Sequence, residues 1–242
     1  MPGVRVRPEM FLVSLKEEIM LQQTWRDVDA YFEARLIGED AVLSAALSAC
    51  QAAGLPAIQV SAAQGKILHL LALTLGARRI LEVGTLGGYS GIWMARALPR
   101  DGQLVTLEIE PRHAEVARAN FARANLAAQV QLRLGAALDT LGELRHEGGA
   151  PFDLIFIDAD KPNNLSYVQA ALELSRVGTL IVVDNVVRDG AILEPAHDAA
   201  VEGVRRMADW FHTQRRVSAT VLQTVGNKGY DGFLLARVQE AG

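Results

Sequence analysis

The sequence predicts a doubly wound α/β fold: a seven-stranded, mostly parallel sheet ending in an antiparallel hairpin, preceded by a helical N-terminal extension. Three observations carry this reading. After Ala77, short β-branched runs alternate with helical segments. Five of these runs, "RRILEVG", "QLVTLEI", "VQLRLG", "FDLIFIDA" and "GTLIVVDN", are apolar throughout, as parallel strands covered by helices on both faces are. The last two runs, "VSATVLQTV" and "DGFLLARV", are separated only by "GNKGY", too short for a crossover helix, so they pair as a hairpin.

Taken in order, residues 1–9 read as a loose tail, because Pro2, Gly3 and Pro8 resist regular structure. The apolar run that follows is cut after Leu15 by Lys16, Glu17 and Glu18, too soon for the core of a secretory leader. No stretch approaches a membrane span. From Phe11 to Leu75 the periodicity is helical, with apolar groups three and four apart in "DVDAYFEARLI" and "EDAVLSAALSACQAAG", the second ended by Gly54 and Pro56. Trp25, Tyr31 and Phe32 read as helix-packing groups, or as part of a lid. A third helix starts with Ser61 as N-cap and stops at Gly76. Without an internal repeat or a composition break, residues 10–242 read as one domain: a helical part over 10–76 and an α/β core over 77–242.

Composition narrows the function classes. With half of its 242 residues hydrophobic the chain can bury a large core, and a net charge of −4 with pI near 5.8 gives no general attraction to nucleic acid. The single cysteine, Cys50, excludes an internal disulfide framework and a cysteine-based zinc cluster, which suits a reducing compartment, and cytoplasm is the expected location. The five histidines are scattered and receive no role. Arg205-Arg206 and Arg215-Arg216 read as a solvated face.

In a doubly wound sheet ligands bind at the carboxyl ends of the strands, so the polar residues there matter. The first strand ends in "EVGTLGGYSG", where Gly84, Gly87 and Gly88 allow a tight turn and close approach of a ligand to the backbone. Glu108 ends the second strand, twenty-four positions after Gly84, where a carboxylate can accept both hydroxyl hydrogens of an adenosine ribose. Glu82 interrupts an apolar run, and a carboxylate buried there needs a partner such as an ammonium or backbone donors. The fourth strand ends in Asp158, Asp160 and Lys161, the fifth in Asp184 and Asn185, and the two strands are expected to be neighbours. Asp158, Asp184 and Asn185 then converge as hard oxygen ligands for Mg²⁺, with Ca²⁺ or Mn²⁺ as alternatives, or else serve as helix N-caps.

Together "EVGTLGGYSG", "FDLIFIDADK" and "IVVDNV", with "GLPAIQVSAAQGKIL" before them and the hairpin after, closely resemble the cation-dependent S-adenosylmethionine O-methyltransferases, the group of catechol and caffeoyl-CoA O-methyltransferases. The resemblance runs from about Gly54 to Val238 and implies the Rossmann-like methyltransferase fold. It implies that Val60 packs at the cofactor, that Glu82 faces the methionine ammonium, and that Gly84, Thr85 and Ser90 line the methionine portion. Glu108 would hold the ribose and Ala137, in "LGAALDT", would touch the adenine. Asp158, Asp184 and Asn185 would bind the metal, Asp158 at the cofactor's edge, and Lys161 would be the general base, against a plainer reading as a surface lysine paired with Asp160. It also favours a homodimer.

The implied reaction transfers a methyl group to one hydroxyl of a catechol-like vicinal diol or phenolic acceptor. The acceptor loop departs from the plant acyl-CoA enzymes, with Arg188 and Asp189 in "DNVVRDG" where they carry an aromatic and an amide, so a different acceptor follows. Two other classes stay open: a dinucleotide-dependent oxidoreductase, disfavoured by the glycine spacing of "GTLGG", and a catalytically silent cofactor-binding protein.

Overall fold

The structure, a computed structural model, describes residues 8–195 and 198–240, and for residues 8–18 the backbone path alone. Helix α1 (Pro8–Phe32) widens into a π-helical turn at Glu33–Ile37. It is followed by α2 (Ala41–Ala52) and α3 (Ala62–Thr74). Of the tail expected over 1–9, residues 1–7 lie outside the described residues. Pro8 and Glu9 belong to α1, since a proline in the first helical turn forfeits no hydrogen bond.

The helix ends follow their chemistry. Ser61 accepts from Gln64 N while Gln64 Oε1 accepts from Ser61 N, a reciprocal cap that starts α3 where the sequence expects it. Asp40 caps α2 by accepting from Val42 N and Leu43 N. It also holds Arg96 at 2.6 Å, and that guanidinium lowers its pKa.

Seven strands form one sheet: β1 (Arg79–Val83), β2 (Gln103–Glu108), β3 (Val130–Leu134), β4 (Phe152–Ile157), β5 (Ser175–Asp184), β6 (Val217–Gly226) and β7 (Gly229–Val238). Their order is β3-β2-β1-β4-β5-β7-β6, parallel up to β5, with β7 antiparallel to both β5 and β6. Between the strands run α4 (Tyr89–Ala95), α5 (Pro111–Arg123), α6 (Ala137–Glu147), α7 (Asn164–Glu173) and α8 (Ala199–Thr213).

Alternate residues of each strand enter opposite cores. Leu81 and Val83 pack with α6, α7 and α8, whereas Ile80 packs with α2, α3, α4 and α5. The order reverses between β1 and β4, and the crevice at the carboxyl ends of these strands opens there.

Three readings need correction. β3 is an edge strand, so its "VQLRL" is only half-buried rather than covered on both faces. Tyr31 and Phe32 stack edge to face on each other but stay about half-exposed rather than joining the core. Arg205 and Arg206 are not simply a solvated face: Arg205 donates to Ile192 O, and Arg206 to Pro162 O, tying α8 to the loops after β5 and β4.

Candidate active site

A cavity of about 500 Å³ lies at the carboxyl ends of β1, β2, β4 and β5, a volume typical of small-molecule sites. Val60, Gly84, Thr85, Ser90, Glu108 and Ala137 line it, and so do Asp158, Lys161 and Asn185. Residues read as a site from six separate segments thus meet at one surface. Asp184 sits just behind that wall, 2% exposed.

Gly84 is required by geometry. Its φ is +99°, and a Cβ there would come within 2.1 Å of the Asp158 carbonyl oxygen. The two strand ends are thereby held against each other, with Asp158 N donating to Val83 O at 2.9 Å. The next turn delivers Gly88, at φ +83°, as the first cap of α4. Its nearest neighbour is the Phe121 ring.

Glu108 is 7% exposed and fixed by two backbone donors, Leu86 N at 2.7 Å and Glu110 N at 2.9 Å. His113, which also lines the cavity, stands with Nδ1 3.6 Å from Glu108 Oε1. Nothing in a lone helical histidine announces that position. The role-free reading of all five histidines therefore missed one that reaches the cavity, and it does so only because α5 starts three residues after the end of β2.

Glu82 is fully buried, as the sequence expects, and does not itself line the cavity. Its partners are hydroxyls: Ser90 Oγ donates to Oε1 at 2.5 Å, and Thr106 Oγ1 lies 2.6 Å from Oε2. Thr106 is its register partner on β2. Thr85 Oγ1 lies 2.5 Å from Thr106 Oγ1 and 3.1 Å from the Leu107 carbonyl. Ser90 and Thr106 both donate to the Glu82 carboxyl and pull its pKa down, but burial outweighs them and pushes it from 4.5 up to about 7.

A carboxyl raised in this way keeps its proton in the folded protein over a pH range in which the unfolded chain has lost it. The associated stability is complete below the unfolded value and is lost as pH rises through the folded one. Glu82→Gln keeps the same donor and acceptor pattern without a titration. Chemical denaturation from pH 5 to 8 is expected to show the wild type losing of order 3 kcal/mol relative to this variant. Parallel profiles for the two proteins would remove the buried acid.

Lys161 is 8% exposed, and its Nζ donates to Asp158 Oδ1 at 2.8 Å. The plainer reading, a surface lysine paired with Asp160, fails on both counts. Asp160 is occupied instead by the Tyr167 hydroxyl and Asn163 Nδ2. Gly203 of α8 lets that helix lie directly on the lysine's backbone, because a Cβ there would come within 2.1 Å of Lys161 O. The sequence gives no sign of this support.

Ile157 of β4 pairs with Val183 of β5, so Asp158 and Asp184 follow registered neighbours as the sequence expects. Burial first, and then the charge of Asp158, push Asp184 up to about 8. Asn185 has φ +59°, a left-handed conformation that asparagine tolerates better than most residues. Leu86 and Arg188, both on the cavity wall, also have positive φ, so backbone strain concentrates around this crevice. Among the described residues no three His, Cys, Asp or Glu side chains gather as a metal-binding group, so the expected set depends on two carboxylates and one amide. No helix among the described residues is long and apolar enough to cross a membrane.

Comparison with known proteins agrees with this geometry. The family model described as O-methyltransferase matches residues 38–238. A catechol O-methyltransferase of Mycobacterium tuberculosis is 53% identical, over 88% of this chain and 96% of its own length. Among solved structures, the Bacillus cereus O-methyltransferase in complex with SAH superposes with a TM-score of 0.88 at 52% identity, covering 90% of this chain and 99% of that one. The O-methyltransferase TomG of Streptomyces achromogenes, solved in complex with SAM, gives the same TM-score, identity and coverage. These matches leave no place for a dinucleotide-dependent oxidoreductase. A match over most of the chain, and relatives above half identity spanning nearly all of their own length, show that the chain belongs to the O-methyltransferase family and is an S-adenosylmethionine-dependent O-methyltransferase.

Proposed function

We propose that the protein transfers the methyl group of S-adenosylmethionine to one hydroxyl of a catechol-like vicinal diol, with the help of a divalent cation. The observation that carries this reading is the part-buried Lys161–Asp158 pair beside the buried Asp184, at adjoining strand ends of a methyltransferase fold. The residues fit a divalent cation: two mutually repelling carboxylates and an amide oxygen are hard ligands, and the repulsion that raises Asp184 is relieved by added positive charge. The name of the Mycobacterium tuberculosis relative supports a catechol acceptor.

When bound, the cofactor supplies an electrophilic methyl group, and a divalent cation chelated by adjacent hydroxyls lowers the pKa of the one to be methylated. Asp158, Asp184 and Asn185 would hold the cation. In its neutral form Lys161 Nζ would still donate one N–H to Asp158 Oδ1 and offer its lone pair to the acceptor's hydroxyl proton. Glu108 accepts hydrogen bonds from the ribose hydroxyls, with its other lone pairs already taken by Leu86 N and Glu110 N. Ser90 commits its proton to Glu82, so its oxygen keeps lone pairs for the methionine ammonium, alongside Gly84 and Thr85. Val60 and Ala137 form apolar walls for the cofactor.

The direct test is methyl transfer to catechol with labelled S-adenosylmethionine and Mg²⁺, with product identified by mass spectrometry; absence of transfer to any vicinal diol would refute the reading. The cofactor half is tested separately. Glu108→Ala is expected to weaken S-adenosylmethionine binding by about 1.5–3 kcal/mol in calorimetry, the range for hydrogen bonds to charged groups. Unchanged affinity would take Glu108 out of the site.

A second copy of the chain is the macromolecular partner we infer. Ile19, Met20, Leu36 and, on β6, Val221, Leu222 and Val225 leave large apolar groups half-exposed or more, the kind of surface that a homodimer covers.

A further inference from the structure

Arg188 on the cavity wall and Lys228 close by it form no ion pair among the described residues. Arg188 lines the cavity in a left-handed backbone conformation, φ +56°, fixed by Asp231 of β7, whose Oδ1 accepts from Val187 N at 2.9 Å and Arg188 N at 3.1 Å. Lys228, in the β6–β7 turn, donates from Nζ to Ala57 O at 3.1 Å, immediately before the cavity residues Ile58, Gln59 and Val60. Its ammonium is close enough for Asp158 and Asp184 to act on it through their charges, while partial burial lowers its pKa.

Two of the neighbouring acids are engaged elsewhere. Asp29 accepts from Asn227 N, and Asp231 from three backbone donors, Gly232 N being the third. Asp189 lies beside Gly229, one residue past Lys228. Among the described residues, neither Arg188 nor Lys228 has a carboxylate oxygen within 4.0 Å.

Cations placed next to a divalent-cation site repel the metal, so they are costly unless something anionic sits between. In a chain of net charge −4 ample carboxylates exist, yet among the described residues none forms an ion pair with either cation. We propose that Arg188 and Lys228 receive a carboxylate on the acceptor, so that the enzyme prefers vicinal diols bearing an acidic substituent to neutral or cationic ones. This rests on the diol reading above and gives it a substrate class. It also assigns a function to Arg188, at which this chain departs from the plant acyl-CoA enzymes.

The test compares protocatechuate, a catechol with one carboxylate, with its methyl ester, which has the same hydroxyl geometry and no charge. Wild-type kcat/KM is expected to favour the acid by about 10-fold or more, as for a hydrogen-bonded charge. Lys228→Gln and Arg188→Gln should each bring the acid-to-ester ratio towards one, while Lys228→Arg retains most of it. Esterification also acidifies the phenol, but equally for every variant, so the change in ratio is the readout; a merely structural loss would lower both substrates alike. A wild-type ratio near one, which needs no variant to measure, would overturn the inference while leaving the diol reading intact. So would a preference that survives both Gln variants. No transfer to either compound or to catechol would instead bring down the diol reading itself.

Discussion

Lys161→Ala is expected to lower turnover by about 10²–10⁴-fold at neutral pH, the usual share of general-base catalysis, with little change in cofactor affinity. The amine has no other evident work: it is 8% exposed, its one polar partner among the described residues is Asp158, and α8 is packed onto its backbone through Gly203. Raising the pH should partly rescue the variant, because an acceptor already ionised in solution needs no base. Steady-state rates from pH 7 to 10 distinguish the alternatives. A wild-type rate at neutral pH would reject the base assignment. A deficit that is equal at every pH would make Lys161 a residue that orients the acceptor.

The second large effect concerns the cation. Chelation is expected to reduce methyl transfer by about 10³-fold or more and Mg²⁺ to restore it, since a cation supplies several kcal/mol of charge stabilisation in such a transfer. Asp184→Asn provides a readout that does not depend on activity. Metal bound only by the folded protein raises its stability by about 2.7 kcal/mol at one hundred times Kd, and the variant is expected to lose that rise. Without metal the variant should be at least as stable as the wild type, because a carboxylate buried beside Asp158 is replaced by a neutral amide of the same shape. Full turnover in excess chelator, with metal content verified as nil, would end the metal reading. A Tm that rises with Mg²⁺ equally in both proteins would place the cation elsewhere.

What was legible in the sequence follows from local chemistry. The strands β1, β2, β4 and β5 are mostly apolar because helices cover both of their faces, and a hairpin was the only connection "GNKGY" could make. The Ser61 cap, Gly84 and the acids that end strands were readable because each serves its own segment. The same logic misled at β3, whose apolar letters resemble those of a central strand although pairing leaves it at the edge.

The sequence by itself thus determined the sheet, its crevice and the residue types brought to it. Only the tertiary structure decided their partners. Glu82 meets Thr106 across a strand register, Lys161 meets Asp158 rather than the adjacent Asp160, and Asn227 of the β6–β7 turn is anchored to Asp29 of α1, 198 positions away. Such contacts depend on which distant segments the fold makes neighbours, and a buried polar group takes whichever donor or acceptor lies within hydrogen-bond reach, however far apart the two are in the chain.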